Sequence, residues 1–506
     1  MTTGPDGSVD TQIASTGIEG LDDVLRGGLP RDRLYLIQGD PGSGKTTMGL
    51  QFLLEGLRRG EAGMYITLSE TREEIAAVAR SHGWSLDGLH LLEMTAVEQQ
   101  LSLEDENTLF EPSEVELREL MQRLLSQIER ASPARVVLDS LSEMRLVSQT
   151  GLRYRRQVLT LKQFFAGRRC TVLMLDDRTT DDDDRQLQSL AHGVLSLESR
   201  ILEYGNERRR LRVVKLRGVK PRGGYHELAI AKGGLRVFPR LVAAEHRPEV
   251  GRDTMGTGVR ELDNLLGGGI ERGTATLVMG PAGSGKSTLA LHLGLAALQR
   301  GEQVAVFAFD ERVDTMLARL DGLGIDLRPH LESGLAQLRQ VDPAEMGPGE
   351  FTSLVRASVE AGARMVVIDS MNGYLNAMPE ERMLALQLHE MLGYLGHLGI
   401  TSIMVMAQHG LTGQLVTPVD VSYIADTVIL LRFFESDGQV RKAISVVKKR
   451  SGAHETSIRE YGLGAPFGVR IGQPLTGFRG VLTGAPVFEG GTSKLFDDGS
   501  DDGSRS

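Results

Sequence analysis

Two tandem α/β domains, each a mainly parallel twisted sheet with flanking helices, are what this sequence predicts, and three observations carry the prediction. The first is length: 506 residues, at roughly 150 per domain, exceed a single small module. The second is an internal repeat. The segment STGIEGLDDVLRGGLPRDRLYLIQGDPGSGKTT, Ser15 to Thr47, recurs without a gap as GTGVRELDNLLGGGIERGTATLVMGPAGSGKST, Gly256 to Thr288, at an offset of 241 residues. That period far exceeds a solenoid unit, so each copy reads as a whole domain. The third is the alternation of short, β-rich apolar runs with helical stretches, the signature of buried parallel strands joined by right-handed crossovers.

In the first copy the apolar runs are LYLIQ before Gly39, MYITL ending at Leu68, RVVLD ending at Asp139 and TVLML ending at Leu175. The second copy gives TATLVM, VAVFAF, MVVID and SIMVMA in the same order. Periodicity stops around LVAAEHRPEVGRD, Leu241 to Asp253, where Pro248 and Gly251 mark a joint. From about Gly484 the chain is rich in Gly, Ser and Asp and too polar to bury a core. The expected organisation is therefore a disordered N-terminus 1–11, a first domain 12–245, a second domain 246–484 and a flexible acidic tail 485–506.

Composition excludes several classes of function. A formal charge of −10 repels nucleic acid and anionic lipid unless a local basic stripe overrides it, so no nucleic-acid partner is expected. The lone cysteine, Cys170, has no disulfide or zinc partners and suits a reducing compartment. The N-terminal MTTGPDGSVD lacks the basic start and apolar core of a signal peptide, and no apolar run approaches the ~20 residues that span a bilayer. A soluble, cytoplasmic protein without a membrane partner is the expectation.

Two phosphate loops carry the chemistry. Gly39, Asp40, Pro41, Gly42, Ser43, Gly44, Lys45 and Thr46, followed by Thr47, fit the P-loop (Walker A) pattern, as do Gly280, Pro281, Ala282, Gly283, Ser284, Gly285, Lys286 and Ser287, followed by Thr288. Each follows a predicted strand and opens a predicted helix. The glycines let backbone N–H groups converge on phosphate oxygens, the lysine sets a charge near the β and γ phosphates, and Thr46 or Ser287 offers a hydroxyl to Mg²⁺. Asp139 in ARVVLDS and Asp369 in RMVVIDS end strands where a metal-directed carboxylate is needed, which completes a metal set of Thr46, Asp139, Ser287 and Asp369. ATP and Mg²⁺ are the only cofactors implied.

Hydrolysis or phosphoryl transfer also needs a group that orients or deprotonates the nucleophile. Glu70 follows Lys45 by 25 residues and Glu311 follows Lys286 by 25, each at the end of the next strand. The residue before each differs, Ser69 in the first copy and Asp310 in the second. Near each domain's end, Lys215 and Arg217 in VVKLRG and Lys448 and Arg450 in VVKKRSG put cations past an apolar strand. These could reach a γ phosphate within the chain or on a neighbour, as an arginine finger does.

With these residues assembled, the chain resembles the KaiC family, duplicated RecA-like ATPases of the cyanobacterial circadian clock, over nearly its whole length. The resemblance rests on the leaders TGIEGLDDVLRGG and TGVRELDNLLGGG, both phosphate loops, MYITLSETREEIAAVARSHGW, FAFDERVDTM and the two K-x-R segments. It implies two RecA-like domains and a homohexameric double ring with ATP held between neighbours in both tiers. The first domain would hydrolyse ATP slowly, and the second would act as a serine/threonine autokinase. It also implies that Asp310 is the general base of the second domain with Glu311 as companion, whereas Ser69 leaves Glu70 alone in the first. The family's adjacent Ser and Thr phosphoacceptors fall on Ser422 and Tyr423 in VSYIADTVILL. Tyrosine is longer and stiffer than threonine, so Ser422 is the expected acceptor. A KaiB-like or other signalling partner is the implied company.

Other features are expected to be bland. The acidic run DDRTTDDDD, Asp176 to Asp184, lacks a calcium loop's Gly and Glu placement and reads as a solvated loop. Gln408 and His409 follow the SIMVMA strand and stand where a γ-phosphate sensor would. Cys170 reads as core filling, and Trp84 as packing beside its preceding helix. Two rival functions are a RecA- or RadA-like DNA-dependent ATPase, disfavoured by net charge and duplication, and a noncatalytic switch held together by nucleotide.

Overall fold

The computed structural model describes residues 12–94, 112–148, 150–178, 183–245, 253–376, 384–408, 422–436, 438–465, 468–482, 487–488 and 490. The chain divides into two compact units, Met1–Arg240 and Leu241–Ser506.

The first unit is built on a nine-stranded sheet. Its strands in chain order are β1 (Leu34–Gly39), β2 (Gly63–Thr67), β3 (His90–Glu93), β4 (Arg135–Asp139), β5 (Thr171–Asp177), β6 (Gly193–Arg200), β7 (Arg208–Leu216), β8 (His226–Ala231) and β9 (Gly234–Phe238). They lie in the order β3-β2-β4-β5-β1-β6-β7-β8-β9. The first six pair in parallel, and β7 to β9 return as an antiparallel meander. Helices α1 (Lys45–Arg58) and α2 (Arg72–Ser81) cover one face; α3 (Pro112–Ala131) and α4 (Gly151–Phe165) cover the other.

The central strand shows why the run LYLIQ is apolar throughout. Tyr35 and Ile37 face a core shared with Met48 and Phe52 of α1, and Leu34 and Leu36 face the opposite core, with Val158 and Leu161 of α4. Successive strand residues point to opposite faces and both faces are covered. Each fully buried side chain of this size contributes about 1.5–3 kcal/mol.

The second unit repeats the plan. Strands β10 (Ala275–Gly280), β11 (Val304–Ala308), β12 (Ala336–Gln340), β13 (Met365–Asp369), β14 (Thr401–Ala407), β15 (Thr427–Ser436), β16 (Gln439–Lys449), β17 (Arg459–Gly464) and β18 (Gly468–Pro474) are ordered β12-β11-β13-β14-β10-β15-β16-β17-β18. Strand for strand this is the first sheet's order. Helices α5 (Lys286–Gln299) and α6 (Val313–Asp321) pack on one face, α7 (Pro348–Glu360) and α8 (Leu384–His397) on the other.

The segment the sequence marks as a joint begins inside this second unit. Leu241 is in its core, and the Ala243 backbone bonds to Glu390 and His397 of α8. At the other end, Val487–Phe488 pairs with Phe478–Arg479, and the Phe478 and Phe488 rings lie 5.2 Å apart. Part of what composition marks as tail is thus paired strand; residues 491–506 lie outside the described residues, as do 1–11.

Candidate functional site

Each phosphate loop leaves the carboxyl end of the central strand, β1 or β10, flanked by β5 and β6 or by β14 and β15. Open parallel sheets bind ligands at such a point, where the connections diverge to either side. The loops end on Gly44 and Gly285, with φ of 101° and 99°, so each helix begins on a residue in the left-handed region that favours glycine. Neither helix start carries a side-chain cap, which leaves first-turn N–H groups facing outward. Ser43 Oγ and Ser284 Oγ are buried within the loops with no partner among the described residues. An uncapped helix start behind a glycine-lined turn fits a phosphate tail.

The metal candidates meet as the motif requires. Thr46 donates to Asp139 Oδ2 at 2.9 Å, and Ser287 to Asp369 Oδ1 at 3.1 Å. The peptide bonds that follow these acids, Asp139–Ser140 and Asp369–Ser370, are both cis. Among the described residues no three His, Cys, Asp or Glu side chains gather as a metal cage. A hydroxyl and one carboxylate per pocket suit Mg²⁺, which usually completes its octahedron with water and phosphate oxygens.

The surroundings of the two acids differ. Tyr65, on the neighbouring strand β2, donates a second hydrogen bond to Asp139 Oδ2. Burial raises the Asp139 carboxyl, with the Tyr65 and Thr46 bonds working against it. In the second pocket Val306 stands at the tyrosine's place in the repeat. Burial pushes Asp369 up to about 6, and nearby Asp310 adds to the rise while Ser287 opposes it.

The candidate bases differ too. Glu70 is half-buried, and its Oε2 is buried without a partner among the described residues. Its backbone is fixed by Thr67, which accepts from Glu70 N at 2.9 Å. Burial and then Asp139 raise its carboxyl above the ordinary range. Glu311 is instead clamped by Arg319 of α6, two bonds at 3.1 and 2.7 Å, and the same guanidinium donates to Thr288 at 2.8 Å. Its neighbour Asp310 accepts from Ser370, the residue after Asp369. Thr47 and Thr288 are themselves buried in the first helical turns.

Each lysine is held in its loop. Lys45 Nζ donates to Gly39 O at 2.8 Å and Asp40 O at 3.0 Å, and pairs with Asp177 Oδ1 at 2.9 Å. Lys286 donates to Pro281 O at 2.7 Å, and burial pulls it down to about 8. At Asp176 and Asp177 the structure corrects the reading of the acidic run as a solvated loop, while residues 179–182 of that run lie outside the described residues. Strand β5 continues past its apolar residues, because Asp176 and Asp177 still pair with Gln38 and Gly39 of β1. Asp176 is fully buried against Arg145 at 2.7 Å. Burial alone would raise Asp177, but Lys45 and Ser142 outweigh it and hold its carboxyl below the usual range.

The K-x-R cations lie at the other end of each sheet. Lys215 pairs across from Val194, and Lys448 from Val428, residues near the starts of β6 and β15. Three to four residues of strand, roughly 10–13 Å, separate these positions from the phosphate loop of the same domain. Lys215 donates to Gln188 O at 2.5 Å, and Arg217 to Ser189 O at 3.1 Å. In the second domain the same end carries the candidate acceptor. Lys448 donates to Ser422 O at 2.7 Å, and Arg450 bonds Tyr423 O and Asp426. Ser422 is half-buried and Tyr423 exposed.

Of the remaining candidates, Gln408 donates its backbone N–H to Gly280 O at 3.0 Å and keeps a buried Oε1 with no partner among the described residues, while His409 lies outside them. Cys170 is buried, and burial pushes its thiol up to about 12. Trp84 packs against His82, ring centroids 4.7 Å apart and planes tilted by 37°, and lines a cavity of about 790 Å³ along α1 with Gln51, Arg58 and Lys232. No helix among the described residues is long and apolar enough to cross a membrane.

Comparison with known proteins agrees with this architecture. A family model described as "ATPase: KaiC" matches residues 14–242 and again 255–476. The circadian clock oscillator protein KaiC of Parathermosynechococcus lividus is 28% identical over 495 residues, covering 93% of this chain and 87% of that protein. Circadian clock protein KaiC2 of Synechocystis sp. is 28% identical over 481 residues, with 93% and 83% covered. The circadian clock oscillator protein KaiC of Synechococcus elongatus is 27% identical over 483 residues, with 93% and 91% covered. With the family's domain matched twice, once around each phosphate loop, the chain belongs to the KaiC family of ATPases.

Proposed function

We propose that the chain is a self-assembling ATPase and autokinase used in signalling or timing. Its first domain hydrolyses ATP, and its second transfers phosphate from ATP to Ser422 of an adjoining copy. The observation that carries this reading is the division of each domain into two half-sites. The phosphate loop and acids occupy one end of the sheet; the K-x-R cations, with Ser422 and Tyr423 in the second domain, occupy the other. Neither half reaches the other within one domain, so a complete site needs the loop of one copy and the far end of the next. A homohexameric double ring, the arrangement the family resemblance implies, supplies that contact at every pocket.

In this reading Lys45 and Lys286 hold the phosphate tail, and Thr46 with Asp139 and Ser287 with Asp369 hold Mg²⁺. The metal would neutralise charge on the β and γ phosphates. Glu70, with a buried oxygen that has no partner among the described residues and a raised carboxyl, orients or deprotonates water. Asp310 takes the serine proton in the second domain. Glu311, held by Arg319, keeps the local charge in place. Lys215, Arg217, Lys448 and Arg450 act on the neighbour's nucleotide as arginine fingers do. The names of the relatives as circadian clock proteins support a timing role, and a KaiB-like or other signalling partner is what the family resemblance implies.

A mixing experiment tests the division. Lys286→Ala leaves a chain with an acceptor and no working second pocket; Ser422→Ala leaves the reverse. Incubated together with labelled ATP and Mg²⁺, they should place label on Ser422 of the Lys286→Ala chain, read by mass spectrometry. Label confined to wild type and absent from the mixture of exchanging copies would end the intersubunit reading.

A further inference from the structure

An ammonium group has three hydrogens to donate and no more. Lys45 gives one each to Gly39 O at 2.8 Å, Asp40 O at 3.0 Å and Asp177 Oδ1 at 2.9 Å. A phosphate oxygen therefore reaches Nζ only by replacing one of these acceptors. The two carbonyls are main-chain atoms of the loop and its strand. The carboxylate is a side chain, 43% exposed, and it is the partner free to swing aside.

That carboxylate is also stationed where it stands. Ser142 Oγ donates to Asp177 Oδ2 at 3.0 Å and accepts from Asp177 N at 3.1 Å. The second pocket keeps the station and lacks the acid. Ala407 pairs with Gly280 where Asp177 pairs with Gly39, and Asn372 brackets Ala407 with bonds of 2.7 and 3.1 Å. Among the described residues Lys286 donates only to Pro281 O.

We propose that Asp177 sets the affinity of the first pocket, as a carboxylate built into the protein that competes with the phosphate tail of ATP for Lys45. The inference rests on the reading of that pocket as an ATP site. Binding must break the Lys45–Asp177 pair and then leave a carboxylate beside a polyanion, and both effects act against the nucleotide. The competitor thereby lowers the first pocket's affinity below what its phosphate loop alone would give, and raises the ATP concentration at which the first domain fills.

The test uses full-length protein carrying Lys286→Ala, so that only the first pocket binds, with labelled ATP and Mg²⁺ in equilibrium dialysis. Adding Asp177→Asn removes the charge and keeps the shape; it is expected to tighten ATP binding about tenfold, the scale of one half-exposed ion pair plus a relieved repulsion. Asp177→Ala should do at least as much. Conversely, Ala407→Asp in a Lys45→Ala chain should weaken the second pocket about tenfold. Unchanged affinity in the Asp177 variants overturns the proposal. Weaker binding also overturns it, because Asp177 would then serve the nucleotide or its metal. A parent chain that binds no ATP while its Asp177 variants do supports it. Failure of parent and variants alike overturns the assignment of the pocket itself, and the competitor with it.

Discussion

The two phosphate-loop pockets stand at the same point of two sheets with the same strand order, and they are charged differently. In the first, Lys45 is neutralised by Asp177, Asp139 is bonded by Tyr65 and Thr46, and Glu70 has an unpartnered oxygen. In the second, Lys286 has no carboxylate bonded to it among the described residues and donates to Pro281 O, Asp369 sits close to Asp310, and Glu311 is clamped by Arg319. Duplication preserved the cradle, and divergence moved the acids. Among the described residues the first pocket keeps a counterion on its lysine and an unpartnered oxygen on its base; the second has no counterion bonded to its lysine and keeps its companion acid tied down. A slow hydrolase and a phosphoryl donor would differ in this way, since one must release a water-attacked nucleotide and the other must hold ATP until a side chain arrives.

The largest effect that would sharpen the comparison is loss of either lysine. Lys45→Ala and Lys286→Ala should each abolish one of two ATP equivalents per chain, weakening that pocket by about a thousandfold, as loss of a buried charge partner does. Dialysis stoichiometry reads this directly, and a single variant that empties both pockets would show that the two sites are coupled. Next in size is the base. Glu70→Gln should lower first-domain turnover about a hundredfold, measured as ADP release from a Lys286→Ala chain. Glu311→Gln should cost the second domain far less, because Arg319 already occupies that carboxylate. A reversed ranking would show that the clamp opens when nucleotide binds.

The smallest effect separates the lysines by pH. Burial pulls Lys286 down to about 8, and bound phosphate favours its charged form. Above that pH binding must take up a proton, so affinity at the second pocket should fall about tenfold between pH 7 and pH 9 and hold steady below pH 7. Titrations of a Lys45→Ala chain in calorimetric buffers of different ionisation heat would show the proton uptake. A flat profile would mean that the lysine stays charged despite its burial.

Much of this was legible in the sequence. Both loops, the strands that lead into them and the nearness of Thr46 to Asp139 and of Ser287 to Asp369 follow from motif spacing, since a P-loop places its hydroxyl beside the end of a parallel strand. What escaped depended on pairing that spacing does not encode. Asp177 sits in an acidic run that composition assigns to solvent, and only the continuation of β5 along β1 brings it to Lys45. Tyr65 lies in an apolar run and reads as core; its hydroxyl matters because β2 and β4 are adjacent. Arg319 is eight residues past Glu311, on the helix that folds back over the strand end. The K-x-R segments were visible, but the antiparallel return of β7 and β16 that carries them away from their own loop was not.

That antiparallel return gives each domain a direction. Under the proposed reading one end gives and the opposite end receives, so a single partner related by a two-fold axis cannot satisfy both. The contact is heterologous, and copies joined through it either run on as an open filament with one unfinished site at each tip or curve until the last meets the first. Closure is the arrangement that leaves no pocket without its second half, and it makes the count of working sites equal to the count of chains in each tier.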